Sequence, residues 1–113
     1  MPVVSADTAG HYVWGDGCDG WHLVRSERLS VIQERMLPNT AEKPHYHARA
    51  EQFFYVLSGV ATMELDGEMF AIHPQQGIHV RAGVPHRISN QHRYELVFTV
   101  TSTPPSHDDR VDI

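Results

Sequence analysis

Two histidines, His45 and His47, stand one residue apart, with Pro44 before them and Ala48 after. In an extended segment, residues two apart project from the same face. Both imidazoles then converge on one point, and Tyr46 turns the other way. Two ring nitrogens at about 2.0–2.1 Å from an ion make half of a tetrahedral or octahedral metal site. Solvated histidines on an edge strand are the competing reading, and the pair alone does not decide. His86 is a third ligand candidate. It follows Gly83 and Pro85, opens another segment, and must reach the pair from across the fold. Glu51 and Gln52 come next after the pair, and alternation lets only one of them share its interior. Gln52 runs with Phe54 and Val56, whereas Glu51 runs with Phe53, Tyr55 and Leu57. Both faces are apolar, so the pattern leaves that choice open.

The elements that must position these residues are strands. No stretch keeps apolar residues at helical spacing for three turns. Extended candidates fall instead at 12–14, 21–25, 29–37, 44–47, 51–57, 60–65, 68–72, 78–81, 86–89 and 94–101. Turn signals separate them. Gly15 to Gly20 is a Gly/Asp-rich loop, Pro38-Asn39 stops a long strand, and Asp66-Gly67 is the strongest hairpin signal in the chain. Gln76-Gly77 marks another turn. Many short strands between turns predict an all-β sandwich or barrel.

Composition narrows the function. The chain has 113 residues, room for one domain, with 41% hydrophobic and 20% charged residues. The net charge is −5 and Lys and Arg nowhere cluster, which argues against nucleic acid and anionic membranes as partners. No apolar run approaches the roughly 18 residues of a membrane span. The N-terminus lacks a signal peptide's basic start and apolar core. The expected location is cytoplasmic, consistent with a single cysteine, Cys18, expected as a small loop residue.

With these residues in view, the stretch His45-Tyr46-His47-Ala48-Arg49-Ala50-Glu51-Gln52, followed by FFYVLSG, resembles the first motif of the cupin superfamily. That motif has two histidines one residue apart, an acid three or four residues on, and a closing glycine. Arg81-Ala82-Gly83-Val84-Pro85-His86-Arg87-Ile88-Ser89-Asn90 resembles the second motif, in which a histidine follows a glycine by three residues and precedes an asparagine by four. The resemblance spans roughly residues 29–101. It implies an RmlC-like double-stranded β-helix, a jelly-roll-like β-barrel whose inner face holds a metal through His45, His47 and His86. The whole of 1–113 is then one domain, with its barrel core at about 29–101. Strands at 11–25 precede it, and a tail, 102–113, either frays or wraps onto a second subunit. A homodimer is expected from the family and from the apolar outer face of Phe53, Tyr55 and Leu57.

Two positions depart from the motifs. Arg81 replaces a common proline. The family's ligand glutamate usually stands seven residues before the closing glycine, and counting back from Gly59 lands on Gln52. The resemblance therefore favours Gln52, through its amide oxygen, as fourth ligand, with Glu51 facing away. An amide is neutral where a carboxylate is charged. Three histidines and Gln52 leave an ion its full charge, which favours Lewis-acid chemistry over stabilising a trivalent metal. Zinc or nickel suits such donors, with iron or manganese possible. The expected function is an isomerase, cyclase or lyase acting on a small carbonyl-bearing or enolisable substrate. A metal-dependent dioxygenase and a non-catalytic small-molecule sensor are the alternatives. Phe54 and Ile88 share the parity of Gln52 and His86 and are expected to wall the pocket. His79 is a candidate for its mouth, and His11, His22, His73, His92 and His107 are expected at the surface. No general base is identifiable. One of Gln33/Arg35 or Glu34 must face inward, and a solvated charge is the expectation for each.

Overall fold

The computed structural model describes residues 3–113, and every regular element among them is a β-strand. In chain order these are β1 (Gly10–Trp14), β2 (Cys18–Arg25), β3 (Ser30–Met36), β4 (Thr40–Ala41), β5 (His45–His47) and β6 (Glu51–Ser58). They continue with β7 (Ala61–Leu65), β8 (Glu68–Ile72), β9 (Gly77–Val80), β10 (His86–Asn90), β11 (Leu96–Thr103) and β12 (Arg110–Asp112). The all-β expectation holds.

Two antiparallel sheets form. The first runs β1-β2-β3-β11-β6-β9, and the second β12-β5-β10-β7-β8, with β4 also paired to β10. Their inner faces share one core. Met36, Phe54, Val56, Leu96, Phe98 and Val100 come from the first sheet; Ala61, Met63, Ile72 and Ile88 come from the second. Period-two alternation drives this. In β11 Leu96, Phe98, Val100 and Ser102 are buried while Val97, Thr99 and Thr101 are only half-buried.

Turn chemistry fits the expected places. Asp66 and Gly67 both take positive φ, at 50° and 84°, as a tight β7–β8 hairpin requires. Asn39 turns after Pro38 with φ 62°. The turn expected at Gln76-Gly77 lies one step earlier, at Gln75 (φ 69°), and Gly77 already belongs to β9. Gly59 ends β6 at φ 79°, and a Cβ there would meet Glu95 O at 2.5 Å. Only glycine fits that closure.

Two expectations need correction. Cys18 is not a loop residue: it opens β2, and its side chain is fully buried in the core. The tail neither frays nor leaves the molecule, since residues 110–112 form β12 against β5. A polar, proline-containing segment carries no strand pattern, because its pairing depends on where β5 lies. β4 also escaped the pattern, being only two residues long. Among the described residues no helix is long and apolar enough to cross a membrane.

Candidate metal centre

The backbone brings the three histidines together. His45 and His47 lie on the inward face of β5 with Tyr46 between them, and His86 of β10 pairs directly with His45. Their ring centroids are 4.4 Å (His45–His86), 4.9 Å (His45–His47) and 5.8 Å (His47–His86) apart. One ring nitrogen from each lies within 4.8 Å of the others, and all three residues are buried.

Each ring is held by its Nδ1. His45 Nδ1 meets Lys43 O at 2.7 Å, His86 Nδ1 meets Val84 O at 2.9 Å, and His47 Nδ1 meets Asp109 Oδ1 at 3.0 Å. Carbonyl and carboxylate oxygens only accept, so each Nδ1 carries the proton and donates it. Each Nε2 is then left with a lone pair, the arrangement that metal-ligating histidines use. Burial pushes the His45 imidazole down to about 4 and lowers His86 as well. Both stay neutral at pH 7, as ligands must.

The structure settles the open choice in β6. Glu51 points outward, exposed, and pairs with His79 Nε2 at 2.8 Å. Gln52 is buried on the inner face. Its Nε2 donates to Ser102 Oγ at 3.0 Å, directly across the β6–β11 pair, and approaches Ser106 Oγ at 3.5 Å. That turns Oε1 toward His86 Nε2, 3.1 Å away. Two acceptors facing each other at this distance repel unless a cation lies beside them. A divalent ion fits this donor set of three imidazoles and one amide oxygen.

Beside the histidines is a cavity of about 160 Å³, whose lining includes Tyr12, Glu34, Glu42, Phe54, His107 and Arg110. Tyr12 Oη donates to Glu34 Oε2 at 2.7 Å. Glu42 Oε1 accepts the Ile88 N–H at 3.0 Å. Burial raises the Glu34 carboxyl to about 7, against the pull of the Tyr12 hydroxyl. Burial and then the neighbouring Glu34 charge raise Glu42 to about 8, the Ile88 N–H opposing. Burial is also the main reason the Tyr12 phenol is held well above its ordinary range. A larger open groove of about 580 Å³, bordered by Arg25, Arg49 and Pro105, meets this cavity at His107.

The cupin domain family model matches residues 33–102, more than half of the chain. This chain belongs to that family. A polyketide synthase, CurC, from Streptomyces cyaneus is 32% identical to this cupin over 72 residues, 62% of this chain and 47% of that protein. The chain spans about half the length of the curated relatives it matches. Among solved structures, the polyketide cyclase RemF from Streptomyces resistomycificus superposes with a TM-score of 0.86 and 19% identity, covering 100% of this chain and 85% of that one. A cupin sugar phosphate isomerase from Silicibacter pomeroyi gives 0.82 and 20%, covering 92% and 76%. At these identities the structures establish the shared fold, an RmlC-like double-stranded β-helix.

Set against the sequence reading, His45, His47, His86 and Gln52 come together and Phe54 lines the cavity. Ile88 does not: it is fully buried in this cupin's core, and its N–H serves Glu42. His79 lies outside, on Glu51. His107 is exposed, as expected, and also borders the cavity, whereas His22 is not a surface residue but half-buried beside the Tyr12 ring, with centroids 5.0 Å apart. The expectation of a solvated charge fails for Glu34, which faces the cavity, while Arg35 on the opposite face binds Asp19 and Glu95. Sequence reasoning missed Tyr12, Glu42, Asp109 and Arg110. Only the i, i+2 spacing of Glu34 with Ile32, both in the lining, hinted at the inward face of β3.

Proposed function

We propose that this cupin is a small metalloenzyme in which His45, His47, His86 and Gln52 hold one divalent ion. Its reaction is Lewis-acid chemistry of the isomerase, cyclase or lyase kind on a small carbonyl-bearing or enolisable molecule. The observation that carries this reading is the meeting of three Nδ1-anchored imidazoles with the neutral amide oxygen of Gln52. When bound, an ion here polarises a carbonyl and keeps its full positive charge, because no ligand neutralises it. Zinc or nickel suits these donors best, with iron or manganese as other candidates.

The chain's own residues supply the rest. Asp109, Lys43 O and Val84 O fix the imidazole planes, and Ser102 fixes the amide. The cavity, about 160 Å³ in volume, matches a small molecule rather than a polymer. Cavities near 150 Å³ hold benzene-sized ligands. The names of RemF and of the sugar phosphate isomerase, a cyclase and an isomerase on this fold, support non-redox chemistry here. We further infer a cytoplasmic homodimer. Phe53 and Leu57 on the outer face of β6, 43% and 38% exposed, form the contact.

The test is elemental mass spectrometry of untagged protein beside His86→Ala and Gln52→Ala. About one ion per chain, lost in the first variant and weakened in the second, is expected. No ion in the native protein, and none taken up on addition, sinks the reading in favour of a binding module. Oxygen uptake with a simple diketone, and no action on enolisable substrates, sinks it in favour of a dioxygenase.

A further inference from the structure

Three residues stand in a row across the edge of the first sheet. Tyr12 of β1 pairs with Gly20 of β2, and Gly20 pairs with Glu34 of β3. Gly20 has no side chain, and the Tyr12 ring fills its place: a Cβ on Gly20 would collide with the ring carbons. The phenol thus lies flat across β2 and reaches the far strand, where its hydroxyl donates to Glu34 Oε2 at 2.7 Å. Oε1 of the same carboxyl makes no hydrogen bond among the described residues. Both residues line the cavity that His45, His47 and Gln52 also line.

Glu34 is half-buried and faces the cavity, where its carboxyl loses hydration, and this inward position of β3 would carry an apolar residue unless the acid had work to do. A phenol spanning a glycine slot fixes which oxygen of that acid is engaged and which is free. We propose that Glu34, oriented by Tyr12, is the general base of this cupin, taking a proton from the carbon next to a substrate carbonyl. The assignment rests on the reading of the site as one that polarises a carbonyl.

The step balances within the cavity. The α C–H bond breaks, and an O–H bond forms at Glu34 Oε1. The electron pair passes into the carbon–carbon bond as the carbonyl oxygen takes on the enolate charge. Where the α carbon bears a hydroxyl, its O–H proton passes to the enolate oxygen and Glu34 returns the carbon-bound proton to the former carbonyl carbon, which gives an isomer; attack of the enolate on an internal carbonyl gives a ring, whose new alkoxide takes the proton back from Glu34. Tyr12 keeps its proton throughout and steadies the carboxylate before each transfer. It is a positioning residue. The raised value of about 7 leaves Glu34 both basic enough and partly ionised near neutral pH. Glu42, Arg110, His107 and the three ligand histidines are the other titratable or charged groups in or beside this cavity and share in its pH profile.

The experiment uses zinc-loaded wild type, Glu34→Gln, Tyr12→Phe and Gly20→Ala, with hydroxyacetone in deuterium oxide as probe. Three quantities are read: zinc per chain, deuterium entry at the probe's α carbon, and the titration of Glu34 by ¹³C NMR of labelled glutamate. We expect Glu34→Gln to keep its zinc and lose exchange about 100-fold or more. Tyr12→Phe keeps zinc, exchanges about tenfold more slowly, and titrates at higher pH, because a donor to the carboxylate is gone. Gly20→Ala does the same without altering either partner. Exchange at the wild-type rate in Glu34→Gln overturns the proposal. So does an unchanged Glu34 titration in both Tyr12→Phe and Gly20→Ala. Zinc-replete wild type that exchanges no proton also overturns it. If wild type takes no zinc, the metal reading fails instead, and the titration then decides: an ordinary glutamate value removes the base, and a raised value that moves with Tyr12 keeps it.

Discussion

Asp109 Oδ1 lies 3.0 Å from His47 Nδ1, although 62 positions separate the two residues. The other oxygen of the same carboxylate accepts the N–H groups of Arg49 and Ala50, each at 2.8 Å. One side chain therefore orients a ligand ring and ties down the loop that follows β5. Burial pushes the Asp109 carboxyl up, but these N–H donors and His47 outweigh it and hold it below the ordinary carboxylate value.

Replacing Asp109 removes all three bonds at once. Asp109→Ala leaves the buried Ala50 N–H and the part-buried Arg49 N–H unpaired and frees the His47 tautomer. The expected cost is about 2–3 kcal/mol of stability, read by denaturant unfolding. Metal affinity should fall about 10–100-fold in a competition titration. Asp109→Asn, which keeps the shape and loses the charge, should fall between the two.

The strands and the hairpin were legible in the sequence because they depend on local alternation and on turn residues, whereas the meeting of His86 with His45 and His47 was legible only through the resemblance to the two cupin motifs. Gln52 was legible only by counting from Gly59; the register of β6 against β11, which sets Gln52 opposite Ser102, supplies the physical reason. The facing of Glu34 was not legible. It depends on Gly20 lying between Glu34 and Tyr12, a match across three strands that no single segment encodes. Asp109 was invisible for a similar reason. Its neighbours Asp108 and Arg110 are equally polar, and only the pairing of β12 with β5 selects it.

Acid and alkali should act on different groups of the chelator-treated protein. His45 is lowered from 6.5 to about 4, so between those values the unfolded chain binds more protons, and stability falls as pH drops through that window. Glu42 is raised from 4.5 to about 8, so there the folded chain binds more protons, and stability falls as pH rises. Glu42→Gln should remove the second loss. At pH 9 it should be more stable than wild type by about 2 kcal/mol, a figure discounted for the water that reaches the cavity. At pH 4 the two should melt together.

Gln52→Glu tests the value of a neutral ligand. A carboxylate in place of the amide should tighten divalent-ion binding by about tenfold or more at pH 7. It should also lower the ion's Lewis acidity, slowing deuterium exchange of hydroxyacetone while metal content stays full. Faster exchange in this variant would contradict the role given to the amide.

Gly59→Ala addresses the closure of β6. A side chain at φ 79° is strained, and its Cβ would stand 2.5 Å from Glu95 O. A loss of about 2 kcal/mol or more is expected in thermal or denaturant unfolding. Gly67→Ala, where a Cβ meets nothing within 4 Å, should lose less despite its φ of 84°.

The three histidines sit on β5 and β10 of the second sheet, and Gln52 on β6 of the first. An ion shared among them is a rivet between two plates. A chain with one cysteine cannot draw a covalent staple of its own. Prying the plates apart would first require the rivet to leave, so ion release sets the pace of unfolding. Proteases and heat should then find the loaded protein long-lived and the stripped one short-lived, even where the two differ little at equilibrium.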